Sequence, residues 1–343
     1  MDPRRFRFPV TRLPFCPRAL ASLALAVAVT VAPQVRAGAM DPSPERFQLS
    51  TDTDAEAKAA AAANFGALAG EFGYAIAPGI LHAAHTQGQR SFELRFQASI
   101  ATINSSQGYW KSGTEGPRDE ARNQASIQNK DPDPVLQVYG LEARKPLPFG
   151  FETGVFFGWI GQTRLAVPGL SVRWVPKEGF RDDLLGILPD IAFGAAFRTI
   201  TGSTKMNVYT TALDVEVSKR IILGSALEFT PYLAMQRLIV AARSGALDLT
   251  PNTDANQLCG FTGYDDSRNK TCANGSVSDF GQSRTYDTTM THRTRAIGGV
   301  QLKRDHFVIA GEVAFDLTDP GGENANLSAG RQSTFALSAG ATF

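Results

Sequence analysis

From about residue 88 to residue 343 the chain alternates apolar and polar side chains with a period of two. That period places the two sets on opposite faces of β-strands and excludes amphipathic helices, whose apolar residues recur every three to four positions. In 91–103, Phe92, Leu94, Phe96, Ala98 and Ile100 share one face, and Glu93, Arg95, Gln97 and Ser99 share the other. The stretch 151–159 sets Phe151, Val155, Phe157 and Trp159 against Glu152. Phe193 and Phe197 oppose Arg198, and Leu213, Val215 and Val217 oppose Asp214 and Glu216. Phe307 and Phe315 oppose Glu312, and the chain ends on Phe335, Leu337, Ala339, Ala341 and Phe343.

A soluble sandwich would alternate in the same way, so three further features decide the solvent. First, aromatics eight residues apart bracket one face of three strands: Phe151 with Trp159, Phe307 with Phe315, and Phe335 with Phe343. At about 3.4 Å per residue and ~40° of tilt they span roughly 21 Å, close to the ~25 Å apolar band of an outer-membrane barrel. Trp174 joins them as an expected girdle residue. Second, the charges fall on the opposite face: Glu93, Arg95, Glu152, Arg173, Arg198, Asp214, Glu216, Arg295 and Glu312 are the expected lumen-facing set. Third, the connections alternate in length. Strands read at 88–103, 133–144, 150–161, 164–175, 187–198, 207–219, 226–238, 290–303, 306–316 and 333–343 put all the longest connections at one end, as for long outer loops and short periplasmic turns. Pro168 weakens the reading of 164–175. A further strand over 238–250 would raise the count to twelve. The fold class is therefore all-β: an antiparallel transmembrane β-barrel of about ten strands, twelve being possible, preceded by a short N-terminal helical segment.

Arg4, Arg5, Arg7, Arg12 and Arg18 precede an apolar run over 19–32, and Val35-Arg36-Ala37 supplies small residues for cleavage after Ala37. This is the layout of a secretory signal peptide, and the run is too short to span a bilayer as a helix. The chain divides into a leader over 1–37, an N-terminal segment over 38–87 and a barrel over 88–343. The leader holds six Arg and one acid, and the remaining 28 bases and 32 acids leave the body near −4. With no basic cluster beyond the leader, nucleic acid is not an expected partner. In an exported chain, Cys259 and Cys272 are expected to form a local disulfide. With no His nearby, no metal is expected there, and no cofactor is expected anywhere.

The terminal Phe343, with alternating apolar residues behind it, resembles the C-terminal signature of Gram-negative outer-membrane β-barrel proteins. The resemblance implies an outer-membrane location, recognition of the last strand by the barrel-assembly machinery, and contact with outer-membrane lipid and lipopolysaccharide. Tyr109 and Trp110, in the first outer loop, are candidates for contact with a ligand or the lipopolysaccharide surface.

Residues 38–87 do not alternate. The run from Asp54 to Asn64 favours a helix, with Asp52 or Asp54 as N-cap and Gly66 as its stop. The segment is either a periplasmic lead-in or an insert that plugs the lumen. Phe47-Gln48-Leu49 and Ala77-Pro78-Gly79-Ile80-Leu81 resemble parts of the hatch of long-chain fatty-acid transporters. Ten strands is also similar to the omptin proteases, whose resemblance implies an Asp pair and an Asp–His pair at the outer rim. Asp131 and Asp133 sit beside prolines and read as turn residues, and neither His292 nor His306 has an Asp two positions earlier. A phospholipase would need a Ser–His pair, for which only His292 is placed. No enzyme is expected. The leading function is passage of small or hydrophobic solutes across the outer membrane. The alternative is a structural or surface-binding barrel acting through its loops.

Overall fold

The ten barrel strands are β1 Glu93–Thr102, β2 Val135–Pro146, β3 Phe151–Ile160, β4 Ala166–Lys177 and β5 Asp190–Thr199, then β6 Met206–Ser218, β7 Leu227–Ser244, β8 Thr289–Arg304, β9 Phe307–Asp316 and β10 Ser333–Thr342. The computed structural model describes residues 38–48, 55–117, 129–177, 189–224, 227–248, 260–268, 270–273, 283–318 and 330–343. The leader with its cleavage site, Asp52 and Asp54, and Cys259 with its expected disulfide to Cys272 lie outside them.

Each strand pairs antiparallel with its sequence neighbours, and β1 closes the ring on β10 through a ladder from Glu93↔Thr342 to Ala101↔Thr334. Closure leaves no strand edge unpaired. The count is ten. The 238–250 stretch does not start a new strand, because β7 runs on through Ser244 against β6 and β8. An additional short strand, Ile221–Leu223, continues the β6 register against the start of β7. Pro168 is accommodated because the β4–β5 ladder is interrupted between Ala166↔Thr201 and Gly169↔Arg198. The amide hydrogen that proline lacks falls within that gap.

The connections at one end are 103–134, 161–165, 200–205, 245–288 and 317–332, and those at the other are 147–150, 178–189, 219–226 and 305–306. We call these the long-loop and short-turn ends. In β3 exposure alternates residue by residue, with Phe151, Val155, Phe157 and Trp159 out and Glu152 and Phe156 in.

The N-terminal segment passes through the ring. Residues 38–48 lie across the long-loop end as a strap: Met40 N donates to Gln162 O (3.2 Å) and Ser43 N to Gly113 O (2.7 Å). Helix α1, Ala55–Ala75, then enters the interior. It does not stop at Gly66. Its first turns are exposed, but from Phe65 onward every side is buried against the barrel. A helix satisfies its own backbone, so an all-round apolar helix can occupy such an interior. Gly66, Ala67, Ala69, Gly70 and Gly73 keep it slim enough to fit. A Cβ on Gly73 would lie 2.2 Å from Val240 Cγ1. Beyond Ala75 the chain turns out of the helix, runs without regular secondary structure to the short-turn end and there begins β1. No helix among the described residues is long and apolar enough to cross a membrane.

Candidate functional site

The barrel interior is where the charged side chains of the strands gather, and they converge on the backbone of residues 73–84. Extended chain carries amide and carbonyl groups with no partner of their own, and buried away from water each needs one. The strands supply them in order. Thr210 Oγ1 donates to Gly73 O (2.9 Å), and Arg198 Nη1 donates to Ile76 O (3.4 Å). Pro78 O accepts from Arg295 and from Gln236 Nε2 (3.3 Å). Glu312 accepts from Ile80 N (3.1 Å), Leu81 N (2.7 Å) and the Tyr232 hydroxyl (3.0 Å). Arg95 donates to Leu81 O, Gln301 Oε1 accepts from Ala83 N (3.2 Å), and Arg173 donates to Ala83 O (2.5 Å). Ala84 N ends the series on Ser218 Oγ (2.9 Å).

These cations are paired as well. Arg95 meets Glu93 at 2.6 Å, and Arg173 meets both Glu152 and Glu216 at 3.1 Å. Arg198 stacks over Phe156 at 3.7 Å. Of the nine inward charges named from the sequence, eight are fully buried and Asp214 is half-buried, bonded to Gln236 (3.4 Å). Glu142, Arg144, Arg293 and Asp316 belong to the same interior and were passed over in the sequence. Arg293 and Asp316 share the strand parity of Arg295 and Glu312, so for those two the signal was present, whereas no charge on β2 had been assigned a face.

Above this charged half lies an apolar one. Phe65, Leu68 and Phe72 of α1 and Ile76 just after it form a single core with Trp110, Val208 and Val240. The buried acid of α1, Glu71, is held by the Tyr109 hydroxyl (2.6 Å), Trp110 Nε1 (2.7 Å) and Asn104 N (3.0 Å). Burial, and then the Glu71 charge, push the Tyr109 hydroxyl well above its ordinary pKa. Tyr109 and Trp110 are thus buried against the plug rather than presented to a ligand. The strap is tied to the rim by Asp41, which accepts from Arg164 N (2.8 Å) and Nε (2.5 Å), and by Glu45 with Lys205 (2.6 Å).

At the short-turn end, His82 and His85 sit among Arg95, Arg144 and Arg173. Burial, reinforced for His82 by those guanidiniums and for His85 by Arg173, Arg220, Lys303 and Arg95, holds His82 well below the ordinary histidine range and His85 at about 3. Both are neutral at pH 7. Beside His82, a cavity of about 40 Å³ is lined by Glu142, Arg144, Arg173 and Asp214. That is room for one or two waters, far below a ligand pocket.

The structure does not assemble the hydrolase candidates. Asp131 is exposed and Asp133 accepts from Gln162. His292 points outward from β8, and His306 Nδ1 bonds Thr342 O (3.0 Å) on a short turn. Among the described residues no cluster of His, Cys, Asp and Glu could hold a metal. Of the fatty-acid-transporter-like stretches, 77–81 lies in the interior and Phe47 packs at the strap, while Leu49 lies outside the described residues. Phe151, Trp174, Phe307 and Phe343 are exposed at the short-turn end, and Trp159, Phe315 and Phe335 near the long-loop end. Phe343 and Phe92 exchange backbone hydrogen bonds (2.7 and 2.9 Å).

No family model matches this chain, and no curated protein matches it. It is similar to solved structures of barrels. The attachment invasion locus protein Ail of Yersinia pestis is 10% identical, covering 74% of this chain and 98% of that one, with a TM-score of 0.25. The N-terminal β-barrel domain of OprF from Pseudomonas aeruginosa is 9% identical over 75% and 100%, with a TM-score of 0.25. The outer membrane protein OprG of the same organism is 9% identical over 76% and 99%, with a TM-score of 0.25. Scores this low leave function to be read from this chain's own residues.

Proposed function

We propose that this chain is an outer-membrane barrel closed to solutes, which works at the mouth where its long connections and N-terminal strap meet. The observation that carries this reading is the series of strand side chains bonded to the backbone of residues 73–84. A solute route would require those bonds to break together. The exterior supports the membrane placement: Leu141, Phe157, Leu170, Leu213, Leu233 and Met235 are exposed. Water does not select such a surface, whereas hydrocarbon does, and only a closed barrel or a helix hides its backbone in lipid. Long connections at one end and short turns at the other favour the long-loop end as the outer one. The strap then lies at the cell surface, and the chain crosses the interior from outside inward before β1 begins. The last strand, ending at Phe343, suits recognition by the barrel-assembly machinery. The reading assigns the chain no covalent chemistry.

Planar-bilayer recording of the refolded chain starting at Gly38 tests it. Silence at moderate voltage is the expected result. Steady single-channel openings would overturn closure and restore the competing role, passage of small or hydrophobic solutes past a displaced segment.

A further inference from the structure

The outer wall carries a second pattern, one of sign. Every described acid in the ten strands faces inward, from Glu93 on β1 to Asp316 on β9. The charges that do face outward are all cationic: Lys145 and Arg304 near the short turns, and Arg237 and Arg243 towards the long loops. Arg237 is the informative one. It is exposed on β7, directly opposite Thr294 of β8, whose hydroxyl accepts from Arg237 Nη1 (2.7 Å). That single bond fixes the guanidinium against the wall, and none of the ion pairs among the described residues includes it. His292, also exposed, is opposite Ile239 and so sits diagonally beside Arg237 on the same face. Diagonal neighbours of this kind are about 7–8 Å apart.

Their height is set by the register. Ala296 is opposite both Met235 and the girdle residue Phe315. The Arg237–Thr294 pair is two residues farther along, about 7 Å beyond Phe315 towards the long-loop end. At mid-membrane an outward arginine is costly, and the penalty fades towards the interface. Its place just past the girdle is where lipid phosphates lie.

We propose that Arg237, with Thr294 and His292, forms a binding site on the outer wall for a phosphate group of the outer-leaflet lipid, lipopolysaccharide. The guanidinium offers its remaining N–H donors in a planar fork suited to phosphate oxygens, and the imidazole adds a donor alongside. The bond to Thr294 holds the fork in place before lipid arrives, which lowers the entropy lost on binding. The site rests on the membrane reading above and on the long-loop end facing outward.

The test is binding of fluorescent lipopolysaccharide to the refolded chain in detergent micelles, with intact and with enzymatically dephosphorylated lipid, so that the first comparison needs no variant. The intact lipid should bind several-fold more tightly. The double variant R237Q/H292Q should lose that preference, weakening the intact lipid about tenfold while leaving the dephosphorylated lipid unchanged. R304Q, at the opposite end, should leave both unchanged. Equal binding of the two lipids, or an equal loss in R304Q, would overturn the site. Folding is read separately from the heat-dependent gel mobility of the barrel, and T294V, which removes the anchor without altering charge, should give a smaller loss of the same kind. A wild-type chain that does not enter bilayers at all would overturn the membrane reading instead, and the site with it.

Discussion

The two halves of the barrel interior are filled by the same segment in two different ways. Towards the long-loop end, α1 bonds most of its own backbone and rests chiefly on apolar surface, which Trp110, Val208 and Val240 provide, with Glu71 as its one anchored charge. Towards the short-turn end, residues 78–84 have left the helix and make almost no backbone bonds of their own, so the wall supplies arginines, Glu312 and glutamines. The lining of the wall changes where the plug changes conformation. A charged lumen is thus no sign of a conduit by itself: here Arg95, Arg173, Arg198, Arg295 and Glu312 serve a backbone that cannot serve itself.

If that division is right, the two halves should fail differently. The largest effect should come from Glu312→Ala, which strips three buried donors, Ile80 N, Leu81 N and the Tyr232 hydroxyl, of their acceptor. Breaking such a network costs about 3–5 kcal/mol. Urea-induced unfolding of the micelle-bound barrel measures it, and a loss below about 1 kcal/mol would mean that residues 80–81 do not rest there. Phe72→Ala, in the apolar half, should cost about 3 kcal/mol through a cavity beside Trp110. That loss should not change with salt. A clear salt dependence for Phe72→Ala would break the comparison.

The barrel was legible in the sequence because β-strands in a two-faced wall have a period of two, and nothing else in 151–159 or 307–315 could explain the spacing of their aromatics. The interior was legible only in part. Inward charge follows from parity, so Glu93 and Arg295 could be read, and Arg293 and Asp316 were readable by the same rule; β2 has no clean alternation, and Glu142 and Arg144 were not. What they bind was not readable, because a backbone carbonyl such as Pro78 O has no residue signature. Gly66 misled for a related reason. In solvent, glycine ends helices because it adds no side chain to shield or stiffen them. Inside a narrow barrel the lack of a side chain is what lets the helix continue.

The third effect separates the halves by pH. His85, with a pKa held at about 3 by burial and nearby guanidiniums, is a proton acceptor only in the unfolded chain across most of the acid range. Its contribution to stability is whole above pH 6.5 and is lost as the pH falls towards 3, because the unfolded chain takes up a proton that the folded one refuses. His85→Asn should therefore reduce the slope of unfolding free energy against pH in that window by up to about 1.4 kcal/mol per unit. The apolar half has no counterpart, so Phe72→Ala should run parallel to wild type from pH 7 to pH 4. If His85→Asn ran parallel too, the short-turn end would be open to water rather than sealed by the plug.

The smallest effect tests where α1 passes from solvent into the wall. Ala60 is exposed and Ala69 is fully buried, although both lie on one continuous helix. Replacing either by glycine removes the same helix preference, about 1 kcal/mol. At Ala69 the lost methyl also leaves a void that the close-packed wall cannot fill, adding about 1 kcal/mol more. Hydrogen exchange should show the same boundary, with amides before Ala61 exchanging readily and those after Phe65 protected to the limit of global unfolding. A plug that breathes as one body would instead exchange uniformly along α1, and the two glycine variants would then cost the same. In that case the bonds to residues 76–84 would be the whole of the closure, and the apolar half would only fill space.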